Sequence, residues 1–154
     1  DLLDSYDRRE LDAVLVRLHV DRTDGVVIAE EQFGWFAAPH LQLRTGEPLP
    51  IATLAEPCGV RVLSGALLDN AGIDWAEVFV GGGVTAISAA VMAGVGIAAL
   101  APRMLPLGVV NVGEKLALPA LPRLPIVLYS RIKTAPGQRM VHALCAMFKA
   151  GAHS

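Results

Sequence analysis

Val78-Phe79-Val80-Gly81-Gly82-Gly83-Val84-Thr85, continued to Leu100 as AISAAVMAGVGIAAL, is the stretch that decides the fold class. Val78 to Val80 reads as a strand, the glycine triplet as a turn, and Thr85 to Ala93 as a helix. Gly94 stops that helix, Gly96 to Leu100 reads as the next strand, and Pro102 ends it. Strand, helix and strand in succession imply an α/β fold with mainly parallel sheets.

The same alternation extends outward. Towards the C-terminus, Val109 to Val112 reads as a short strand. Pro119, Pro122 and Pro125 then break the chain before a strand at Ile126 to Arg131. A last helix from about Pro136 to Ala150 places Met140, Val141, Leu144, Cys145, Met147 and Phe148 on one docking side. Towards the N-terminus, Val60 to Leu63 reads as a strand, with Ser64-Gly65 opening a helix to Ala71. Residues 39–59, with four prolines, read as a surface excursion. Val26 to Ala29 and Phe33 to Ala38 are further strands. Ala13 to Val16 is an apolar run suited to a strand covered on both faces, as in a parallel sheet. Leu2, Leu3 and Tyr6 read as the last turns of an amphipathic helix. The Pro-rich breaks imply a first lobe of residues 1–39 and 120–154 around a second lobe of residues 40–119.

Composition narrows the function. At 154 residues, 53% hydrophobic and 18% charged, the chain is a globular domain rather than a disordered one. Its mean hydropathy is +0.48. Even so, the longest apolar stretch, Val84 to Pro102, is interrupted by Ser88, Gly94 and Gly96 and falls short of the ~18 consecutive apolar residues of a membrane span. A net charge of −2 lacks the basic excess of a domain that grips nucleic acid. The charge is uneven. Residues 1–31 hold nine acids and four bases, and the remainder six acids and nine bases. Cys58 and Cys145 lack metal-ligand spacing and read as reduced thiols. The four histidines (His19, His40, His142, His153) are scattered. No Walker A lysine and no GxSxG elbow occurs. These absences leave an enzyme without a nucleophile, a metal cluster or a cofactor motif. Asp12, Glu10, Glu30 and Glu31 read as solvated charges, and Trp35 and Trp75 as packing residues. Starting at Asp1 without a methionine or a signal peptide, the chain reads as a piece of a longer protein.

Ligand chemistry is expected where strands hand over to helices, because helix N-termini present free N–H groups and partial positive charge. Gly81-Gly82-Gly83-Val84-Thr85 is one such place; Thr85 there serves either as a helix cap or as a ligand donor. Arg61 with Ser64-Gly65 is another, suited to a small anion such as a carboxylate. Arg17, after the strand Ala13 to Val16, either reaches a cleft or forms a surface ion pair.

Four segments carry a family resemblance. Ala90 to Pro102 (AVMAGVGIAALAP) resembles the VxAGxGIAxLP block of LysR-type transcriptional regulators. Arg9 to Val16 (RELDAVLV) is similar to their GELDxAL step. Glu31 to His40 resembles the strand that enters the second lobe, and Leu118 to Tyr129 the strand that returns. The resemblance implies a C-terminal effector-binding domain with a type 2 periplasmic-binding-protein-like fold: two α/β lobes, two crossover strands and a small-molecule effector between the lobes. It implies effector contacts at Val16 and Arg17, at Arg61, Ser64 and Gly65, and at Gly83, Val84 and Thr85. The family's winged helix-turn-helix and the first strand-helix-strand of the first lobe have no counterpart here. The implied protein is cytoplasmic, uses no cofactor and is not an enzyme. Its implied partners are a small, anionic metabolite, a homo-oligomer (dimer or tetramer when full-length), and DNA only through the missing domain, with no membrane. An extracytoplasmic solute-binding protein of a transporter is the alternative with the same architecture.

Overall fold

A computed structural model describes residues 2–17, 22–56 and 58–150. The elements run α1 (Leu2–Asp7), β1 (Ala13–Arg17), β2 (Val26–Gln32), β3 (Gly34–Ala37), β4 (Leu49–Leu54), α2 (Gly59–Asn70), β5 (Trp75–Gly81), α3 (Val84–Met92), β6 (Ala98–Leu100), β7 (Val110–Asn111), β8 (Arg123–Ser130) and α4 (Ala135–Ala150). They form two compact units, Asp1–Glu31 with Arg123–Ser154, and Gln32–Pro122.

In the first unit the strand order is β1-β8-β2. β1 lies antiparallel to β8, from Ala13 opposite Ser130 to Arg17 opposite Ile126. Side chains alternate across a strand, and both faces of this sheet are covered. Val14, Val127 and Tyr129 pack with Leu3 and Tyr6 of α1. On the other face Ile28, Ile126 and Leu128 pack with Leu15, Val141, Cys145 and Phe148. Double coverage explains why Ala13 to Val16 is apolar at every position. The Arg131 guanidinium lies 3.7 Å from the centre of the Tyr6 ring and donates to the Tyr6 carbonyl, tying α1 to the end of β8.

In the second unit β3 runs between β6 and β7, antiparallel to both. β4 and β5 are parallel, ending with Leu54 opposite Gly81. A parallel bridge between Ile51 and Ile97 links β4 to the segment leading into β6. Ala52, Ile87, Val91, Ala98 and Leu100 form the core beneath α3. Trp35 is buried, its indole N–H donating to the Pro119 carbonyl at 2.8 Å. Helices α2 and α3 stop in the same way. Gly72 and Gly94 adopt left-handed backbone (φ 68° and 72°), and the next N–H in each case, Ile73 or Val95, returns to Leu68 or Ala90. This is the Schellman arrangement, in which glycine carries no Cβ penalty.

Several expectations need correction. Val60 to Leu63 is not a strand; it forms the first turns of α2. The Val-Arg-Val-Leu alternation mimics a strand, but Ser64, Gly65 and Leu68 are the residues α2 buries, and that packing overrides local β preference. The strand lies earlier, in the stretch read as an excursion, where Ile51, Ala52 and Thr53 of β4 are buried. Pro50 is tolerated because the ladder to Ile97 begins with its carbonyl, so no N–H is required of it. Pro125 likewise sits inside β8, but before Ile126, the first β8 residue paired with β1. The mainly parallel sheets are also corrected: β4–β5 is parallel, but β1–β8, β3–β6 and β3–β7 are antiparallel. β8 carries the returning chain against β1, and β3 carries the entering chain against β6 and β7. The unit boundaries fall at 31/32 and 122/123 rather than 39/40 and 119/120, because β3 pairs within the second unit. On α4, only Val141, Cys145 and Phe148 of the expected stripe dock, whereas Met140, Leu144 and Met147 are exposed.

Candidate functional site

The second unit presents two helix starts at the carboxyl end of one parallel strand pair. β4 leads into α2 and β5 into α3, and the strand ends are tied by the Ala55 N–H donating to the Gly81 carbonyl at 2.9 Å. In α/β sheets this end is where ligands meet free N–H groups.

The α3 start is open. Gly83, with extended backbone, is the residue before the helix, so Thr85 is not the cap; it occupies the second helical position and is exposed. The N–H groups of Ala86 and Ile87 both reach the Gly83 carbonyl, and the earlier N–H groups fall outside the helical ladder. The three glycines differ in what they do. A Cβ on Gly81 would meet Ala86 and Ile87 at 3.0 Å, so packing requires glycine there. Gly82 and Gly83 would meet nothing within 4 Å, and neither has positive φ. The tight turn needs neither of them, and their bareness leaves the backbone approachable.

The α2 start is filled. Cys58 precedes the helix without a side-chain cap, and Arg61 lies in its first turn. Arg61 Nε and one terminal nitrogen donate to the two carboxylate oxygens of Glu77 on β5, at 2.8 and 2.7 Å. Thr53 of β4 donates its hydroxyl to Glu77 at 2.6 Å. The Thr53 hydroxyl, followed by the Arg61 guanidinium, holds the Glu77 carboxyl below the usual carboxylate range. The other terminal nitrogen of Arg61 lies 3.4 Å from Glu56. Ser64 and Gly65 are one turn further on and buried. The Ser64 hydroxyl donates to the Arg61 carbonyl, and Gly65 faces the Trp75 ring, 3.1 Å from where a Cβ would stand. They are packing residues of α2 against β5, not the strand-to-helix turn expected of them.

In the first unit, Val16 packs against the α1-side core and Arg17 ends β1. Arg17 donates to Glu31 of β2 across the middle strand β8. Glu31, expected in solvent, is buried, while Glu30 is exposed. Residue typing could not have separated the two. The strand period does not separate them either: counted from buried Ile28 it would bury Glu30, whereas Glu31, on the opposite face, is the buried one, and it accepts from Arg17. Glu77 and Thr53 were also missed. An acid at the middle of an otherwise apolar strand, Trp75–Gly81, was the available signal.

Trp75 donates to Asp69. His40 and His142 are exposed, and His19 and His153 lie outside the described residues. Cys58 and Cys145 are free thiols. Among the described residues no group of three His, Cys, Asp or Glu side chains suits a metal, and no helix is long and apolar enough to cross a membrane. A cavity of about 460 Å³ opens at the opposite, amino-terminal end of β4 and β5, between Arg44, Glu47, Ile73, Asp74 and Val78. None of the expected contact residues lines it.

Comparison with known proteins agrees with this architecture. The family model described as "LysR substrate binding domain" matches residues 1–152. The HTH-type transcriptional regulator PecT of Dickeya dadantii (strain 3937) is 29% identical over 122 residues, covering 79% of this chain and 39% of PecT. The chain thus spans well under half the length of that relative. The Synechocystis PCC6803 CcmR regulatory domain in complex with 2-PG superposes with a TM-score of 0.71 at 17% identity, over 96% of this chain and 78% of that one. The bromide ion-bound regulatory domain of HypT from Salmonella typhimurium gives 0.69 at 14%, over 95% and 78%. These likenesses carry the type 2 periplasmic-binding-protein-like α/β fold. The chain belongs to the LysR substrate binding domain family.

Proposed function

We propose that this chain is the ligand-sensing part of a cytoplasmic bacterial LysR-type regulator and binds a small anionic metabolite at the α3 start. The observation that carries the reading is the bare Gly82-Gly83 backbone ahead of α3, which no packing or φ requirement explains. Free N–H groups and the positive end of α3 suit a carboxylate or another anion. The bromide ion bound to the HypT regulatory domain is consistent with that chemistry.

Gly83, Val84 and Thr85 are the primary contacts. Arg61 contributes through its charge and through its hold on Glu77, while Ser64 and Gly65 support α2 from behind. The chain binds and does not catalyse. In the whole protein, occupancy would favour one arrangement of a homo-oligomer and so change its hold on DNA through a separate domain.

The test is an amide-resolved NMR titration of this chain with bromide and a panel of small carboxylates. The expected response is concentrated at Gly82 to Thr85, and Thr85→Ala weakens the best ligand about fivefold, as expected for one lost polar contact of about 1 kcal/mol. Shifts confined to the cavity around Asp74 and Val78 would overturn the assignment.

A further inference from the structure

The side chains around Arg61 are more specific than a helix start needs. Two of the guanidinium's nitrogens are committed to Glu77 in a bidentate pair, and Glu77 is braced again by Thr53. That edge is fixed, because both partners sit on regular elements, with side chains 26% and 23% exposed. The remaining edge faces Glu56, which lies on the loop between β4 and α2, is 72% exposed, and stands at 3.4 Å rather than in a tight bond. One arginine therefore has a permanent acid and a loose one.

We infer that Glu56 is an internal competitor, a tethered carboxylate on the outer edge of Arg61 that an effector's anionic group must displace. The inference rests on the reading of the α3 start as the effector site, and it adds a selectivity rule to that site. A tethered group only five residues along the chain acts at an effective concentration in the millimolar range. Simple anions at lower concentration lose that competition. A ligand carrying an anionic group together with a second hydrogen-bonding group, anchored at Gly82 to Thr85, wins it, because its own two ends are linked. The ligand class is thus a small bifunctional acid rather than any anion. The local charge agrees, since Glu56, Arg61 and Glu77 sum to −1, and an anion enters favourably at Arg61 only by turning Glu56 out to solvent.

The experiment compares this chain with its Glu56→Gln variant, using sodium bromide and sodium acetate as probes at constant ionic strength. Glu114→Gln, an exposed acid elsewhere in the second unit, controls for net charge. Arg61 side-chain N–H signals and backbone amides are followed together. Glu56→Gln is expected to bind both anions about threefold more tightly, the scale of one exposed ion pair, with the Arg61 terminal N–H signals moving and Nε–H, held by Glu77, nearly still. Glu114→Gln is expected to match the parent. Equal affinities in Glu56→Gln and the parent, no response of Arg61 in Glu56→Gln, or the same gain in Glu114→Gln would each overturn the inference. If the Gly82 to Thr85 amides still respond in those cases, the effector site survives and only the competitor falls. If those amides respond in none of the proteins, the effector site itself falls.

Discussion

Helices α2 and α3 begin at the ends of two paired parallel strands, yet their first turns are built differently. The α2 turn is crowded with charge and bolted to the sheet by Arg61, Glu77 and Thr53, and one turn further on Gly65 is closed over by Trp75. The α3 turn carries no side chain at Gly82 or Gly83 and exposes Thr85. One helix start is a wall and the other a floor. What separates them is whether side chains already occupy the first turn.

The comparison can be broken most directly at Glu77. Glu77→Ala leaves Arg61 and Thr53 without their shared acceptor, and we expect a loss of about 2–3 kcal/mol in urea unfolding followed by tryptophan fluorescence. A loss under about 0.5 kcal/mol, the range of an ordinary surface change, would mean that the wall is not braced by this network. Next comes Gly65→Val. Its Cβ would stand 3.1 Å from the Trp75 ring, and overpacking of this kind costs about 1–2 kcal/mol; an unchanged midpoint would show that Trp75 yields freely.

A smaller effect is expected from acid. The Glu77 carboxyl is held low in the folded chain, so its contribution to stability is complete above the unfolded value of about 4.3. It is lost as the pH falls through the lower, folded value. Stability of the parent should therefore fall more steeply below about pH 4 than that of Glu77→Gln, and parallel pH profiles would contradict the assignment. Smallest of all is Gly82→Ala. With nothing within 4 Å, it should shift stability by less than about 0.5 kcal/mol while weakening anion binding in the titration. A destabilised Gly82→Ala would turn the floor into another packed turn.

Legibility from sequence followed the same division. The glycine triplet, the α3 helix, its Gly94 stop and the apolar run of β1 were readable because each is a local signal of period or backbone freedom. Arg61 was readable as a charge at the right end of the sheet, but not as an arginine already engaged, since Thr53 and Glu77 come from strands β4 and β5. Ser64-Gly65 was read as a turn because a serine and a glycine after Val-Arg-Val-Leu look like one. Their burial against Trp75 arises only when β5 lies beneath α2. The α4 stripe was overread for a related reason. Helical spacing shows which residues share a side, but only the packed structure shows that Val141, Cys145 and Phe148 dock while Met140 and Met147 do not.

By itself the sequence determined the α/β class, the two-part division, the family and the open turn before α3, because hydrophobic period, glycine and proline act within a few residues of where they stand. Tertiary structure alone decided strand direction, the placement of β4 in a proline-rich stretch, the exchange of roles between the two helix starts, and which acids hold Arg17 and Arg61. Those outcomes depend on what lies across a sheet or under a helix, and residues that meet there are separated by anything from fourteen to more than a hundred positions in the chain.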